Sequence, residues 1–245
     1  MKHFIWIIMT TMIFASAIYG SSIIGGSTLL NSSYLNQMEQ WLGNGPLTLN
    51  NIYTKQSGHT ASNFHAASDG KGDTFSIIEI LSVNGVSDPQ IVGFYNPKSW
   101  YSTGDPIGYS YTDPERTAFL FNLTKPSVGK MSQKNSQTTG TTYTTGYINY
   151  QSYNKIDYGP SAYYDLYVYN DMSTGWLHLH GVCYGYDAGG NGTVTGGTTW
   201  AHESLTIGRI EVFSISEGVV PEPHSIVLLF LAAFSVMSYL QKSRK

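Results

Sequence analysis

A mainly β protein, built as a two-sheet antiparallel β-sandwich with short flanking helices, is what this sequence predicts, on three observations. At least six runs rich in β-branched and aromatic residues recur between Thr74 and Ile215. No long amphipathic helices interleave them, which argues against an α/β topology. The 245 residues are 14% aromatic, with 19 Tyr and 26 Gly, and only 12% charged. Such a chain has apolar material for a core and suits pleated, half-buried surfaces.

Leu30, Tyr34, Met38 and Trp41 or Leu42 recur at helical spacing, so Thr28 to Leu42 is expected to be an amphipathic helix with Ser27 as cap, stopping at Gly43. Asn50 to Thr54 reads as extended. Ala61 to Ala67 reads as a second brief helix, capped by Thr60, with Phe64 pointing inward. Ser68 to Asp73 holds two glycines and two aspartates and should turn tightly into a strand. The strands expected are Thr74 to Leu81, Gln90 to Tyr95, Thr117 to Leu123, Ala162 to Tyr169, Trp176 to Tyr186 and Leu205 to Ile215. Lys130 to Gln151 reads as an exposed insertion or edge hairpin, and Asp187 to Thr199 as a Gly-rich loop.

The formal net charge is −3; residues 18–220 carry nine basic and fifteen acidic side chains, a balance of −6. That balance and the lack of a basic cluster outside the two ends argue for no nucleic acid as a partner. Cys183 is the only cysteine, so an intrachain disulfide and a zinc site of Cys pairs are excluded.

Both ends read as export signals. Lys2, the apolar stretch Phe4 to Phe14 and Ala15-Ser16-Ala17 form a signal peptide over 1–17, cut by signal peptidase. Residues 18–26 read as a flexible leader, and 27–217 as the folded domain. At the other end Pro221-Glu222-Pro223 precedes sixteen uncharged residues, Ser225 to Leu240, and then a basic tail with Lys242, Arg244 and Lys245. A helix over 225–240 would be about 24 Å long. That is slightly short of a hydrocarbon core of roughly 30 Å, a mismatch that the flanking cations can cover by snorkelling. This order of parts, residues 218–245, resembles the PEP-CTERM sorting signal of exopolysaccharide-producing Gram-negative bacteria. The resemblance implies an exosortase-type sorting enzyme as partner, transient inner-membrane insertion, and a destination at the cell surface or extracellular matrix.

A larger resemblance covers the body. Ile52-Tyr53-Thr54, Ser57-Gly58 and the run Phe64-His65-Ala66-Ala67-Ser68-Asp69-Gly70-Lys71-Gly72, followed by the strand from Phe75, resemble the opening of a TLDc domain. Val92-Gly93-Phe94-Tyr95 with Trp100, and Phe119-Leu120-Phe121-Asn122-Leu123, continue the likeness. Asp165-Leu166-Tyr167-Val168 and Ile210-Glu211-Val212-Phe213 close it more loosely. The resemblance implies a β-sandwich flanked by short helices, no established catalytic residues, no cofactor, and an association with protection against oxidative damage. The proton-pump binding of eukaryotic members does not transfer to an exported bacterial protein.

Several residue constellations carry chemistry in principle. Phe64, Trp100, Phe119 and Phe121 read as core between the sheets. His65 beside the Asp69 turn reads as a helix-terminal hydrogen-bonding residue, with a base or a ligand as alternatives. Asp69, Lys71 and Asp73 resemble part of a calcium loop, although Lys71 stands in its middle and the closing Glu is missing. His178 and His180, with His202 or Asp187, could gather a transition metal if their strands pair suitably. Cys183 reads as a buried structural thiol, with a peroxide-sensitive one as alternative. Glu203 and Glu211 have the residue types of a glycosidase pair, with surface roles the simpler account. The tyrosines between Tyr143 and Tyr186 could form a planar surface for exopolysaccharide, or pack as ordinary sheet residues. The preferred expectation is an exported, non-enzymatic surface or matrix protein; the alternatives are a carbohydrate-binding matrix protein and a metal- or thiol-dependent oxidant scavenger.

Overall fold

The computed structural model of the chain describes residues 20–110, 115–131, 150–163, 165–177, 184–185, 194–196 and 202–217. The segments expected to be a signal peptide (1–17) and a sorting signal (218–245), together with His178, His180, Cys183 and Asp187, lie outside the described residues. Among the described residues, no helix is long and apolar enough to cross a membrane.

The fold opens with β1 (Ser22–Ile24), α1 (Ser32–Leu42), β2 (Leu47–Thr54) and α2 (Ala61–Ser68). Next come β3 (Thr74–Val83), β4 (Val86–Asn96), β5 (Ile107–Tyr109), β6 (Phe119–Asn122) and β7 (Ser127–Met131). The chain closes with β8 (Tyr150–Tyr153), β9 (Ser161–Ala162), β10 (Leu166–Val168), β11 (Thr174–Leu177), β12 (Tyr184–Gly185) and β13 (Glu203–Glu217).

These thirteen strands form one hydrogen-bonded sheet in the order β12-β7-β6-β4-β3-β13-β11-β10-β9-β8-β5, with β2 on β13 and β1 parallel to β2. The two sheets expected from the sequence are thus two layers of a single sheet that curls on itself. Its far ends meet: Tyr184 Oη of β12 donates to the backbone oxygen of Gln151 in β8 (2.6 Å), and Gln151 donates to Asn96 at the end of β4. The curl encloses an inner core of Ile78, Val92, Phe94, Leu120, Leu166 and Val212. A second core on the opposite face packs Phe75, Ile77 and Phe213 under Leu35 and Met38 of α1.

Strand alternation decides which residue enters which core. Leu120 points inward, so its neighbours Phe119 and Phe121 fall in the outer core beneath α1, whereas Phe64 and Trp100 do fill the inner core. The sequence expectation that all four pack between the layers is therefore corrected for Phe119 and Phe121.

Local differences have equally specific causes. The first helix starts at Ser32, where Asn31 caps it by accepting from Tyr34 N–H (2.9 Å). Ser27, expected as that cap, folds a separate turn by accepting from the backbone of Leu29 and Leu30 (3.1 and 2.8 Å). Gly43, with φ 79°, ends the helix as expected, the positive φ being one that a side chain would oppose. Residues 22–24, expected within a flexible leader, join the sheet as β1. The expected strand from Ala162 to Tyr169 is instead the hairpin β9–β10, closed by Asp165 N–H on the oxygen of Ala162 (3.2 Å). Composition concealed β5, β7 and β8, which are short and interrupted by Gly or Ser.

Candidate functional site

The run from Phe64 to Gly72 builds a corner between α2, the following turn and Trp100. Asn63 reaches back to the Thr60 N–H (2.9 Å) and fixes the helix start. At its last turn His65, only 2% exposed, meets Asp69 one turn later, Nδ1 to Oδ1 at 2.7 Å. Its Nε2 faces two backbone oxygens, of Lys155 (3.2 Å) and Tyr158 (3.1 Å). A carbonyl oxygen can only accept, so toward those two oxygens the ring is the donor, while Nδ1 pairs with the Asp69 carboxylate. His65 thus joins α2 to the loop after β8, with both ring nitrogens occupied.

The turn beyond it depends on glycine. Gly70 and Gly72 have φ of 72° and 76°, and their N–H groups donate to the oxygen of Trp100 (3.0 Å) and to Ser99 Oγ (2.9 Å). Trp100 is fully buried, donates Nε1–H to Thr74 Oγ1 (2.8 Å), and packs edge-on against Phe64 (5.2 Å) and Phe94 (5.9 Å). Gly93 leaves room for Phe121: a Cβ there would lie 2.3 Å from that ring and 2.7 Å from the oxygen of Ser76. Asp69 turns to His65 while Asp73 accepts from Tyr95 Oη (3.0 Å), so these carboxylates diverge and Lys71 stays exposed. Burial, with Asp73 beside it, pushes the Tyr95 phenol well above its ordinary value. Among the described residues no group of three His, Cys, Asp or Glu could hold a metal ion.

Glu211 and Glu203 both lie on β13, eight residues apart, a separation of ~26 Å along a strand. A glycosidase pair needs its carboxyl groups within roughly 10 Å, so these two do not form one. Glu203 accepts from Thr195 Oγ1 (2.8 Å). Glu211, 1% exposed, accepts from the hydroxyl of Ser27 and from the N–H and Oγ1 of Thr28 (both 2.8 Å). It pins the N-terminal segment to the middle of the sheet. Sequence reasoning missed the second pin. Arg209 donates to Glu79 through Nε (2.9 Å) and NH2 (2.6 Å), and through NH1 to the oxygen of Thr28 (3.0 Å). The guanidinium holds the Glu79 carboxyl below its ordinary range, against the opposing effect of burial. A glutamate paired across strands with an arginine carries no local spacing signal.

The opposite impression comes from the outer face of β8 to β11. Tyr167 alternates outward between the inward Leu166 and Val168 and stacks on Trp176, its cross-strand partner (4.8 Å, 12°). Around Tyr167 stand Tyr153 (5.5 Å), Tyr158 (5.7 Å) and Tyr163 (6.4 Å), and Tyr169 reaches Tyr158 (6.0 Å). Tyr169 and Ile156 are exposed at its margin, and Lys155 lies over the Tyr158 ring (5.9 Å). Most pairs are tilted or edge to face, so the rings form an interlocked patch rather than one plane. Tyr184, grouped with them from the sequence, is buried in the inner core instead. His202 sets its edge against Trp176 (4.8 Å).

A polar cleft of about 590 Å³ lies near the start of α2, lined by Lys55, His59, Asp171 and Ser173. Lys55 donates to the oxygen of Gly208 (2.8 Å) and to Ser173 Oγ (3.2 Å). Burial pulls its amine below the ordinary lysine value, opposed by Asp171 and Glu79. Two of its donors thus brace the segment after β2 against β13 and against the turn before β11.

Residues 23–216 match the family profile described as the TLDc domain. No curated protein matches the chain.

Proposed function

The chain belongs to the TLDc domain family, and from that membership we propose that it is an exported, non-enzymatic surface or matrix protein, delivered by exosortase sorting. The observation that carries this reading is how the polar atoms of the family run are used. His65 has both ring nitrogens engaged, Asp69 is turned onto it, and Glu211 is occupied by Ser27 and Thr28. Groups so engaged hold the fold, which leaves interaction to the outside of the domain. The two terminal signals supply the route: signal peptidase at 1–17, and Pro221, Glu222 and Pro223 ahead of the apolar span and Lys242, Arg244 and Lys245. A contribution to survival under oxidative stress follows from the family association and is part of the same proposal.

Fractionating cells that carry an internally tagged chain, with and without the exosortase, tests the route. A mature form at the surface or in the matrix, replaced by a larger membrane-bound form when the exosortase is missing, is the expected outcome; unchanged size and location would reject it.

A second reading, binding of exopolysaccharide, is favoured by the patch of five tyrosines and Trp176 on one outer face. Aromatic residues on an outer face suit the apolar faces and hydroxyls of sugars. Retention on native exopolysaccharide, weakened by Tyr169→Ala, is expected. Retention no better than that of an unrelated β-domain would rule the reading out.

A further inference from the structure

The polar cleft of about 590 Å³ near the start of α2 falls in the size range of small-molecule sites, and neither the run Phe64 to Gly72 nor the tyrosine patch uses it. Its lining brings together the hydroxyls of Ser57, Thr60 and Ser173, the imidazole of His59 and the amine of Lys55, with no wholly apolar side chain among its described lining residues.

Lys55 is set apart from other lysines of the domain by what it touches. Lys98, Lys125 and Lys155 each pair with a carboxylate, of Glu115 (4.0 Å), Asp88 (2.9 Å) and Asp157 (3.1 Å). Lys55 is half-buried and donates instead to two neutral oxygens, the carbonyl of Gly208 (2.8 Å) and Ser173 Oγ (3.2 Å). An ammonium has three N–H donors and a neutral amine two, so the neutral form serves both acceptors and keeps its lone pair for the remaining position. Burial works in the same direction by disfavouring the charge, opposed at longer range by Asp171 and Glu79. Asp171 is turned onto the N–H groups of Ser173 and Thr174 (both 2.9 Å), and Glu79 onto Arg209, the other cation of the lining. The remaining titratable group of the lining is His59, whose Nδ1 accepts from the N–H of Gln56 (3.3 Å), which makes Nε2 the donor of that ring.

We propose that Lys55 is a carbonyl-reactive amine and that this cleft takes a small hydroxyaldehyde, which Lys55 binds covalently as an imine. Desolvated lysines are the ones that react in this way. The neutral amine adds to the carbonyl carbon, and one nitrogen proton passes to the carbonyl oxygen. That oxygen then leaves as water with the second nitrogen proton, and a C=N bond remains. The hydroxyl lining and His59 Nε2 suit the hydroxyls of such a ligand, whereas a plain alkyl aldehyde finds no apolar wall. The proposal stands independently of the sorting route and of polysaccharide binding.

The probe is glyceraldehyde with cyanoborohydride, which reduces the imine to a stable secondary amine, applied at neutral pH to protein purified from cells expressing the full chain and read lysine by lysine by peptide mass mapping. Propanal is the control without hydroxyls, and Lys155, whose amine is held up by its pairing with Asp157, is the internal reference. Labelling at Lys55 is expected to be about tenfold faster than at Lys155 and to saturate with glyceraldehyde concentration, while Lys155 responds linearly. Asp171→Asn removes the charge that opposes the neutral amine and should speed labelling at Lys55 alone; His59→Phe should slow it for glyceraldehyde and spare propanal. A rate at Lys55 no faster than at Lys155, a linear response at both lysines, or equal saturation by propanal would overturn the proposal. Each of these is read on the unaltered chain, so the test does not depend on a variant folding.

Discussion

The corner around Trp100 and the outer face around Tyr167 are both built from aromatic rings in edge-to-face contact, yet they differ in what surrounds the rings. At the corner Phe64, Phe94 and Trp100 are fully buried and the indole N–H finds Thr74. On the outer face the rings cover one another while Tyr169 and Ile156 remain open to water at the margin. Ring contacts therefore do not identify a functional surface by themselves. What separates the two regions is whether the rings and their polar atoms are consumed within the protein.

The corner should break first. Trp100→Ala removes a buried indole and leaves a cavity, with an expected loss of about 4 kcal/mol in denaturant unfolding. A loss near the surface-residue scale would show that the corner is looser than its packing indicates. His65→Ala should cost about 2 to 3 kcal/mol, because Asp69 and the oxygens of Lys155 and Tyr158 lose their shared partner. A double-mutant cycle with Asp69→Asn isolates the pair; a coupling near zero would mean that His65 acts by packing alone.

One corner residue should respond in the opposite direction. Tyr53 is 5% exposed, its hydroxyl has no partner among the described residues, and burial pushes its phenol up to about 12. Tyr53→Phe should raise stability by about 1 kcal/mol, the scale of an unsatisfied buried hydroxyl. Destabilisation instead would place a hydrogen-bonded water at that oxygen.

Between the two regions stands the Glu79–Arg209 pin. The Glu79 carboxyl is depressed below its ordinary 4.5 by Arg209, so its stabilising contribution is present above pH 4.5 and is lost as pH falls through the folded-state value. With Arg209 half exposed, the contribution is under about 1 kcal/mol. Glu79→Gln should flatten that part of the acid limb in a pH series of unfolding midpoints. The smallest effect belongs to the outer face, where Tyr169→Ser should change stability by no more than about 0.5 kcal/mol. A larger loss would move the patch into the same class as the corner.

The difference also governs how much could be read from sequence. The corner was legible because Phe64, His65, Asp69, Gly70 and Gly72 sit within one helical turn and one tight turn, where local geometry dictates residue type. Strands β3, β4 and β13 were legible because they are long and each contains a run buried on both faces. The hairpin β9–β10, the outward placing of Phe119 and Phe121, and the Arg209 contact with Thr28 were not legible. Phe119 and Phe121 are placed by the pairing of β6 with β4, the Arg209 contact joins residues 181 apart in the chain, and no Gly or Pro marks the turn between β9 and β10. Tyr153, Tyr158, Tyr163, Tyr167 and Tyr169 do lie together, but with tilted rings rather than in one plane, because composition carries no ring orientation.

Strand β13 has a mechanical consequence. It is the last strand of the domain and also an interior one, flanked by β3 and β11, with β2 alongside. A tension applied beyond Glu217 would load those ladders lengthwise, so that many backbone bonds resist together instead of parting one after another like a peeled edge. A pull entering at that end would therefore meet the domain where its backbone pairing is most extensive.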